Sequence, residues 1–492
     1  MPLMGSLYIG SSGLQTSQNA LNTTAHNLSN VDTTGYTRQQ VQQSNRAYIT
    51  LSTDPKSIAN KQTGLGVTYS RVKQVRDYFL DKTYRKESGR SMFYEVSTQV
   101  MEEVESQLGE LNGEAFQTTM TDFWTAVQEL SKDPSSSVTQ GLIVQRASEF
   151  VQRASAVYDG LSSYQDNLNT QIKQNVDKIN KYGEQLLTLN DQIRAIECGG
   201  IEHANDLRDA RNQILDELAD GTKLTDVKYC AVESDGYMRM DDGTKVYNID
   251  GAEVFDLSIE ISSDLGTDIG GLKAMLLARG DHRANYTDLA EGKYDSVSQS
   301  VVMNIQGEFD QMIHNVVAKI NDILADAAGV ASGDLELADG TKLTDVKYCA
   351  VESDGYMRMD DGTPIQLFTK VTTDGYRKVT GKDGKDYWVM NEEKAGSTES
   401  LYTIGNLRVN PTLMQEPSKM GFRLADGSED KETADALKAA FTEEAYTLNP
   451  NVQKKTTFVD YYTDLVSQVA NSGYVFRSIY ENQVNTVEAT QS

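Results

Sequence analysis

Leucine returns every seven residues at the start of the chain, at Leu7, Leu14, Leu21 and Leu28. A seven-residue repeat gathers these side chains on one stripe of an α-helix, with Met4, Ala25 and small residues at the offset positions. The opposite face is Ser, Thr, Asn and Gln, residues that can be buried against similar polar surfaces without desolvating an ion. No Asp, Glu, Lys or Arg occurs from Met1 to Val31, although these types make up 24% of the chain. Gly5, Gly10 and Gly13 each cost up to about 1 kcal/mol of helix propensity relative to Ala. The pattern predicts a helix that is marginal by itself, disordered in the lone chain and ordered only among neighbours in a crowded assembly.

A longer helical pattern runs from Val138 to Ile196, after the breaker Pro134. Ile172, Ile179, Leu186 and Ile193 recur at heptad spacing, interleaved with Leu161, Leu168, Tyr182, Leu189 and Ile196 and broken at Asn175. A two-column seam of this kind requires a partner helix. One candidate is Asp77 to Leu111, with Phe79, Phe93, Val100, Val104, Leu108 and Leu111. The other lies near the end of the chain, with Phe458, Tyr462, Leu465, Val469, Phe476 and Ile479. Packing the two ends together would make one rod.

Helical spacing returns at Leu272 to Leu277 and Val301 to Leu324. Between Leu218 and Leu265, and from Leu335 to Leu424, the pattern changes. There Asp235-Gly236, Asp242-Gly243, Asp354-Gly355, Asp361-Gly362, Asp374-Gly375 and Asp383-Gly384 separate short runs of strand-type residues, which predicts antiparallel hairpins. The expected fold is mainly α with inserted β, in several domains: a helix and turn over 1–60; a coiled-coil-like helical rod from 61–217, 268–328 and 425–492; and an outer β-rich hairpin domain from 218–267 and 329–424. Glu217 to Thr244 and Glu336 to Thr363 are identical, so a similar hairpin is expected in both places, within different flanks.

Composition then narrows the function. A chain of 492 residues, 38% hydrophobic, has room for two to four folded domains. Its net charge of -26 argues against nucleic acid and against an anionic membrane surface, both of which need clustered cations. Three cysteines, Cys198, Cys230 and Cys349, make no disulfide framework, and the four scattered histidines make no metal motif. The acid-and-glycine turns fail as calcium loops. Counted from Asp383, Lys385 falls on the third ligand position, and counted from Asp426, Lys431 takes the place of the required Gly.

No Walker loop, G-x-G-x-x-G, G-x-S-x-G or paired-carboxylate arrangement stands out, so no catalytic residue, cofactor or metal ligand is proposed. The start of the chain has no basic and apolar signal-peptide pattern, and no run of apolar residues is long enough to span a bilayer, so membrane insertion is not expected. Export would need a route that does not read such a peptide.

The segment Ala25-His26-Asn27-Leu28-Ser29-Asn30-Val31-Asp32-Thr33-Thr34-Gly35-Tyr36-Thr37-Arg38 reads as a helix end and a tight turn, because Asn and Asp cap with their side chains and Gly35 permits positive φ. It resembles the shared N-terminal motif of flagellar rod, hook and hook-associated proteins, with Asn27, Asn30, Thr34, Gly35 and Tyr36 carrying the match. Three further stretches are similar to the hook-associated protein 1 family: Phe123 to Pro134; Ala204-Asn205-Asp206-Leu207-Arg208-Asp209-Ala210-Arg211 with Ile214 to Leu218; and Val409-Asn410-Pro411 with Pro417-Ser418-Lys419.

The resemblance implies a non-enzymatic adaptor of the bacterial flagellum, secreted by type III export, that joins hook to filament. Implied partners are copies of itself in a ring, the hook subunit, an adjacent junction protein or flagellin, and an export chaperone. Leu7, Leu14, Leu21, Leu28, Asn27, Asn30, Thr34, Gly35 and Tyr36 would form the assembly interface. Leu161, Leu168, Ile172, Ile179, Leu186, Ile193, Leu465, Val469, Phe476 and Ile479 would pack the rod. Related subunits end in a helix that packs on the N-terminal one; here the helical face continues through Val484 and Val487 to Ser492, so that helix is expected to be missing from the chain. A hook or rod subunit of the same family is one alternative, and a hydrolase displayed on the flagellum is another.

Overall fold

The computed structural model describes residues 2–53, 60–109, 116–199, 203–221, 231–232, 237–239, 245–248, 261–263, 265–351, 357–394, 396–424 and 426–491. The chain opens with helix α1 (Pro2–Ser29), where the leucine repeat predicts a helix. Strands β1 (Gln39–Asn45), β2 (Ile49–Thr53), β3 (Asn60–Thr63) and β4 (Val67–Gln74) follow as two antiparallel pairs, β1 with β4 and β2 with β3. This ribbon carries the first module past the expected boundary at 60. Its strands Gln-Gln-Val-Gln-Gln-Ser-Asn and Val-Thr-Tyr-Ser-Arg-Val-Lys-Gln leave both faces partly exposed, so they show little of the alternation that marks a half-buried strand.

Helix α2 (Tyr78–Leu108) starts where the Asp77 carboxylate accepts the Phe79 N–H at 2.8 Å. Next come α3 (Phe116–Lys132) and α4 (Ser137–Glu197), the latter capped by Ser136. With 61 residues α4 is about 90 Å long. Helix α5 (Asn205–Gly221) and the small strands β5 (Ala231–Val232), β6 (Tyr237–Arg239) and β7 (Lys245–Asn248) precede α6 (Gly271–Arg279), α7 (Tyr294–Val297) and α8 (Val301–Ala327). Strands β8 (Ala331–Glu336), β9 (Lys342–Ala350), β10 (Phe368–Lys370), β11 (Tyr376–Thr380), β12 (Asp386–Met390) and β13 (Leu407–Val409) make an antiparallel sheet ordered β11-β12-β9-β8 and a separate β10/β13 pair. Helices α9 (Pro411–Gln415), α10 (Lys431–Thr442) and α11 (Phe458–Gln491) complete the chain.

One apolar core joins α2, α3, α4, α8, α10 and α11. At its centre Phe123 stacks on Phe150 at 5.4 Å and meets Phe441 edge-on at 5.5 Å, while Phe116 meets Phe309 at 5.1 Å. Helices α2 and α11 run antiparallel along each other. Tyr462 donates to the Leu108 carbonyl at one end of this pair, Phe476 lies 6.3 Å from Tyr94 in the middle, and Gln483 donates to Glu87 at the other end. Leu465 and Val469 are buried here, with Phe476 and Ile479 packed at the margin.

The seam of α4 is not covered mainly by either candidate partner, Asp77–Leu111 or the chain-end helix. α4 packs in succession on α3, α6 and α5. Leu161, Leu168, Ile172 and Ile193 are buried, Ile179 and Leu186 only half-buried, and Ile196 exposed. A helix of this length outruns each neighbour and leaves part of its apolar stripe wet.

A second correction concerns the outer domain. Ile365, Leu367, Phe368, Ile404, Leu413 and Phe422 enter the same core as α3, α4 and α8, so much of 364–424 belongs with the helices. The four-stranded sheet is what stands apart from them in sequence and pattern. The Asp-Gly turns around it close as their chemistry predicts: Asp361 accepts the Thr363 N–H at 2.9 Å and Asp383 that of Lys385 at 3.0 Å. Asp235-Gly236, Asp242-Gly243 and Asp354-Gly355 lie outside the described residues. The identical stretches fold differently at their start, although Ala231 and its counterpart Ala350 both lie in strands. Glu217-Leu218-Ala219-Asp220-Gly221 ends helix α5, whereas in Glu336-Leu337-Ala338-Asp339-Gly340 the Glu closes strand β8 and the rest turns toward β9.

Candidate functional site: an outward leucine stripe and the joint beneath it

Helix α1 sits on the β1/β4 ribbon by its polar face. Ser12 and Thr16 are only 4% and 3% exposed, while Leu7, Leu14, Leu21 and Leu28, about half a turn away, are 72%, 76%, 71% and 74% exposed. Ser12 Oγ donates to the Ile9 carbonyl at 2.8 Å and accepts the Val67 N–H at 3.3 Å, and Thr16 Oγ1 donates to the Ser12 carbonyl at 2.8 Å. Gly66 makes this approach possible. Its φ is +86°, and a Cβ there would fall 2.2 Å from Ser12 Oγ. The helix is amphipathic in reverse, with hydroxyls inward and leucines outward.

The turn after α1 is built on one side chain. Asn27 donates to the Gln39 carbonyl at 2.8 Å and accepts from the Gln39 N–H at 2.9 Å and from the Tyr36 hydroxyl at 2.8 Å. His26 Nδ1 lies 2.9 Å from the same hydroxyl. Asn30 donates to the His26 carbonyl at 2.9 Å, closing the end of the helix. Gly35 holds φ at +80°, and a Cβ there would press on Gln213 at 3.2 Å. Thr34 is exposed.

This turn locks onto the start of α5. The Asp209 carboxylate accepts the Thr37 N–H at 3.2 Å and Gln74 Nε2 at 2.7 Å; Gln74 also donates to the Asn205 carbonyl at 3.0 Å. Asn205 donates to Gln39 Oε1 at 3.3 Å, and Gln39 Nε2 to Asp206 at 3.4 Å. Burial pushes the Asp209 carboxyl above its ordinary range, against the pull of the Thr37 contacts and Arg76. Burial, Asp209 and Asp206 raise the Tyr36 phenol in turn. Beside them the end of α4 is pinned to α5: Glu197 takes Arg208 at 2.5 and 2.7 Å, which with the Ala204 N–H holds its carboxyl down at about 2.

The structure thus joins two motifs that the sequence presents 170-odd positions apart, residues 25–38 and 204–211, into one hydrogen-bonded joint. Asn27, Asn30, Gly35 and Tyr36 lie in it, and the four leucines do not. Sequence reasoning missed Ser12, Thr16, Gln39 and Gln74, and placed Asp209 in a motif without giving it a role. A Ser and a Thr four residues apart, opposite the leucines, were the visible trace of the first pair; nothing local marked Gln39 or Gln74.

Residues 101–336 match the family described as the flagellar hook-associated protein FlgK helical domain, and residues 7–37 match the flagella basal body rod protein family. Flagellar hook-associated protein 1 of Bacillus subtilis is 23% identical over 480 residues, spanning 96% of this chain and 87% of that protein. By these matches the chain resembles the flagellar hook-associated protein 1 family over nearly all of its length. The Escherichia coli member is 29% identical over 208 residues, 42% of this chain and 37% of its own length. The solved flagellar hook junction protein FlgK of Burkholderia pseudomallei overlaps 85% of this chain and 100% of its own at 12% identity, with a TM-score of 0.46. The segment that matches the rod-protein family is α1 with its turn, and the helical-domain match begins near the end of α2 and runs through α8 into β8.

Proposed function

We propose that this chain is a hook-associated protein 1 family member, a non-enzymatic structural adaptor of the exported flagellum, incorporated as a ring of copies between hook and filament. Its contacts are with further copies, the hook subunit, and an adjacent junction protein or flagellin; an export chaperone escorts it beforehand. The observation that carries the reading is the reversed helix α1. Water on four leucines is unfavourable, and burying each is worth about 1.5–3 kcal/mol. An assembly that covers all four therefore gains on the order of 10 kcal/mol per subunit before ordering costs. The polar face, already satisfied by the ribbon, is not needed for that contact.

Replacing Leu21 by Asp places a charge in the middle of the stripe on a side chain that is largely exposed in the chain itself. The expected result is a soluble, normally folded subunit by circular dichroism, and cells whose hooks bear no filaments by electron microscopy. Normal filaments on cells that carry only Leu21→Asp would refute the reading.

A further inference from the structure

A groove of about 370 Å³ opens at the joint, between β4, the first turn of α2 and the start of α5, with Arg71, Lys73, Arg76, Tyr78 and Arg208 along it and Asp81 as its carboxylate. Two of these cations are neutralised in place: Arg76 by Asp81 at 2.5 Å and Asp216 at 3.3 Å, and Arg208 by Glu197. Arg71 and Lys73 are different. They alternate along β4, so both project from one face of the ribbon, opposite Gln42 and Gln40 of β1. Arg71 donates to Gln42 at 2.7 Å, and among the described residues neither Arg71 nor Lys73 has a carboxylate partner. Both are exposed, as is the neighbouring Tyr78. On a chain of net charge -26 a pair of uncompensated cations beside an aromatic ring is a surface of minority sign.

In a closed ring every copy is related to the next by rotation, so a patch on one side of a subunit meets a different patch of its neighbour at the same height. Height along the rod can be read from the antiparallel α2/α11 pair. Gln483 lies at Glu87, so Glu488 stands within about a turn of Asp81 and Tyr78, level with the groove. Glu481 and Glu488 are both exposed on α11, and α11 covers the side of α2 that carries Glu87 and Tyr94, away from the Arg85 and Gly89 side that meets α5.

We propose that the Arg71–Lys73 face of the groove docks the acidic end of α11, at Glu481 and Glu488, of a second copy of this chain. The proposal rests on the ring reading above and names one of its lateral contacts. Charge complementarity of this kind sets register and suppresses wrong neighbours more than it adds affinity. That suits a contact repeated around a ring whose main adhesion comes from the leucine stripe.

The test uses whole flagella and the full chain. Zero-length carbodiimide coupling of isolated hook-filament assemblies is expected to yield a Lys73–Glu481 or Lys73–Glu488 peptide by mass spectrometry that the treated lone chain does not yield. Coupling of Lys73 only to another flagellar subunit, or to nothing, overturns the proposal. In cells, Arg71→Glu with Lys73→Glu should lower the fraction bearing filaments by roughly tenfold or more, because like charges then face each other. Adding Glu481→Lys and Glu488→Lys should restore it. Filament counts unchanged by the double reversal, or a loss that the compensating pair does not repair, also overturn it. Leu21→Asp run in parallel separates the two levels: if it blocks filaments while the charge reversal does not, only the groove contact falls, and if it too leaves filaments intact, the ring reading falls with it.

Discussion

Glu308 on α8 is fully buried, with its carboxylate at the crossing of α8, α11 and the turn before α11. Oε1 takes Asn304 at 3.1 Å and Asn449 at 2.6 Å, and Gln468 lies 3.2 Å from both oxygens. No cation faces it among these partners. Burial therefore dominates the three amides and pushes its carboxyl up to about 7 from the ordinary 4.5. A carboxyl that holds its proton more tightly when folded makes the folded state more stable at low pH. Its contribution is full below about 4.5 and fades as pH rises through about 7. At about 1.4 kcal/mol per pH unit, the span amounts to on the order of 3 kcal/mol.

Glu308→Gln keeps an acceptor for Asn304 and Asn449, and Gln468 can turn its amide to meet the new NH2 group, so the variant removes the titration and little else. Urea unfolding of the helical body at pH 5, 6, 7 and 8 measures the effect. The unmodified protein should lose on the order of 3 kcal/mol more than Glu308→Gln between pH 5 and pH 8. Asp310, also buried and pushed up to about 6, contributes equally to both proteins and cancels in the difference. Parallel pH profiles for the two proteins would refute the reasoning, as would a variant that becomes relatively less stable at high pH.

Two further perturbations separate the core from the joint. Phe123→Ala empties the ring cluster with Phe150, Phe441 and Phe368 and should cost about 3–5 kcal/mol, read as a fall in the urea midpoint without loss of helix content in the native baseline. Asp209→Ala removes the acceptor of Thr37 and Gln74; amide exchange of the ribbon from Gln39 to Gln74 should speed by roughly tenfold or more, while the Phe123 core melts as before.

Much of the helical architecture was legible, because long stripes at 3.5 to 3.6 spacing are set by burial on one side. α2, α4, α8 and α11 all fall where Phe93, Leu161, Phe309 and Leu465 mark their buried faces. What periodicity cannot say is which stripe meets which. The α4 seam points to a partner helix from Asp77–Leu111 or from the chain end, whereas α3, α6 and α5 cover most of it and α2 and α8 only touch it. The ribbon escaped notice because it packs on α1 through hydroxyl and backbone contacts at Ser12 and Val67, which leave no apolar alternation behind. The stretch beginning Glu217 and its copy beginning Glu336 show the limit most directly: one sequence ends a helix when it continues the face of Ile214 and Leu215, and ends a strand when Ala331 to Gly333 pair with Val346 to Tyr348 ahead of it. Neighbours in the fold outweigh local propensity there.

The joint at Asp209 has a mechanical consequence. A subunit between a rotating hook and its filament must pass torque from the first module into the helices, and along α4 an unbroken column of backbone hydrogen bonds carries the twist. At the joint the load crosses onto Asn27, Gln39, Gln74, Asn205 and Asp209, polar contacts that fail once they are stretched beyond hydrogen-bond reach. Greasy packing slips and re-forms, but a seam of this type gives way at one place. The joint is therefore where overload is expected to loosen the first module from the helical shaft, the covalent link from β4 to α2 remaining.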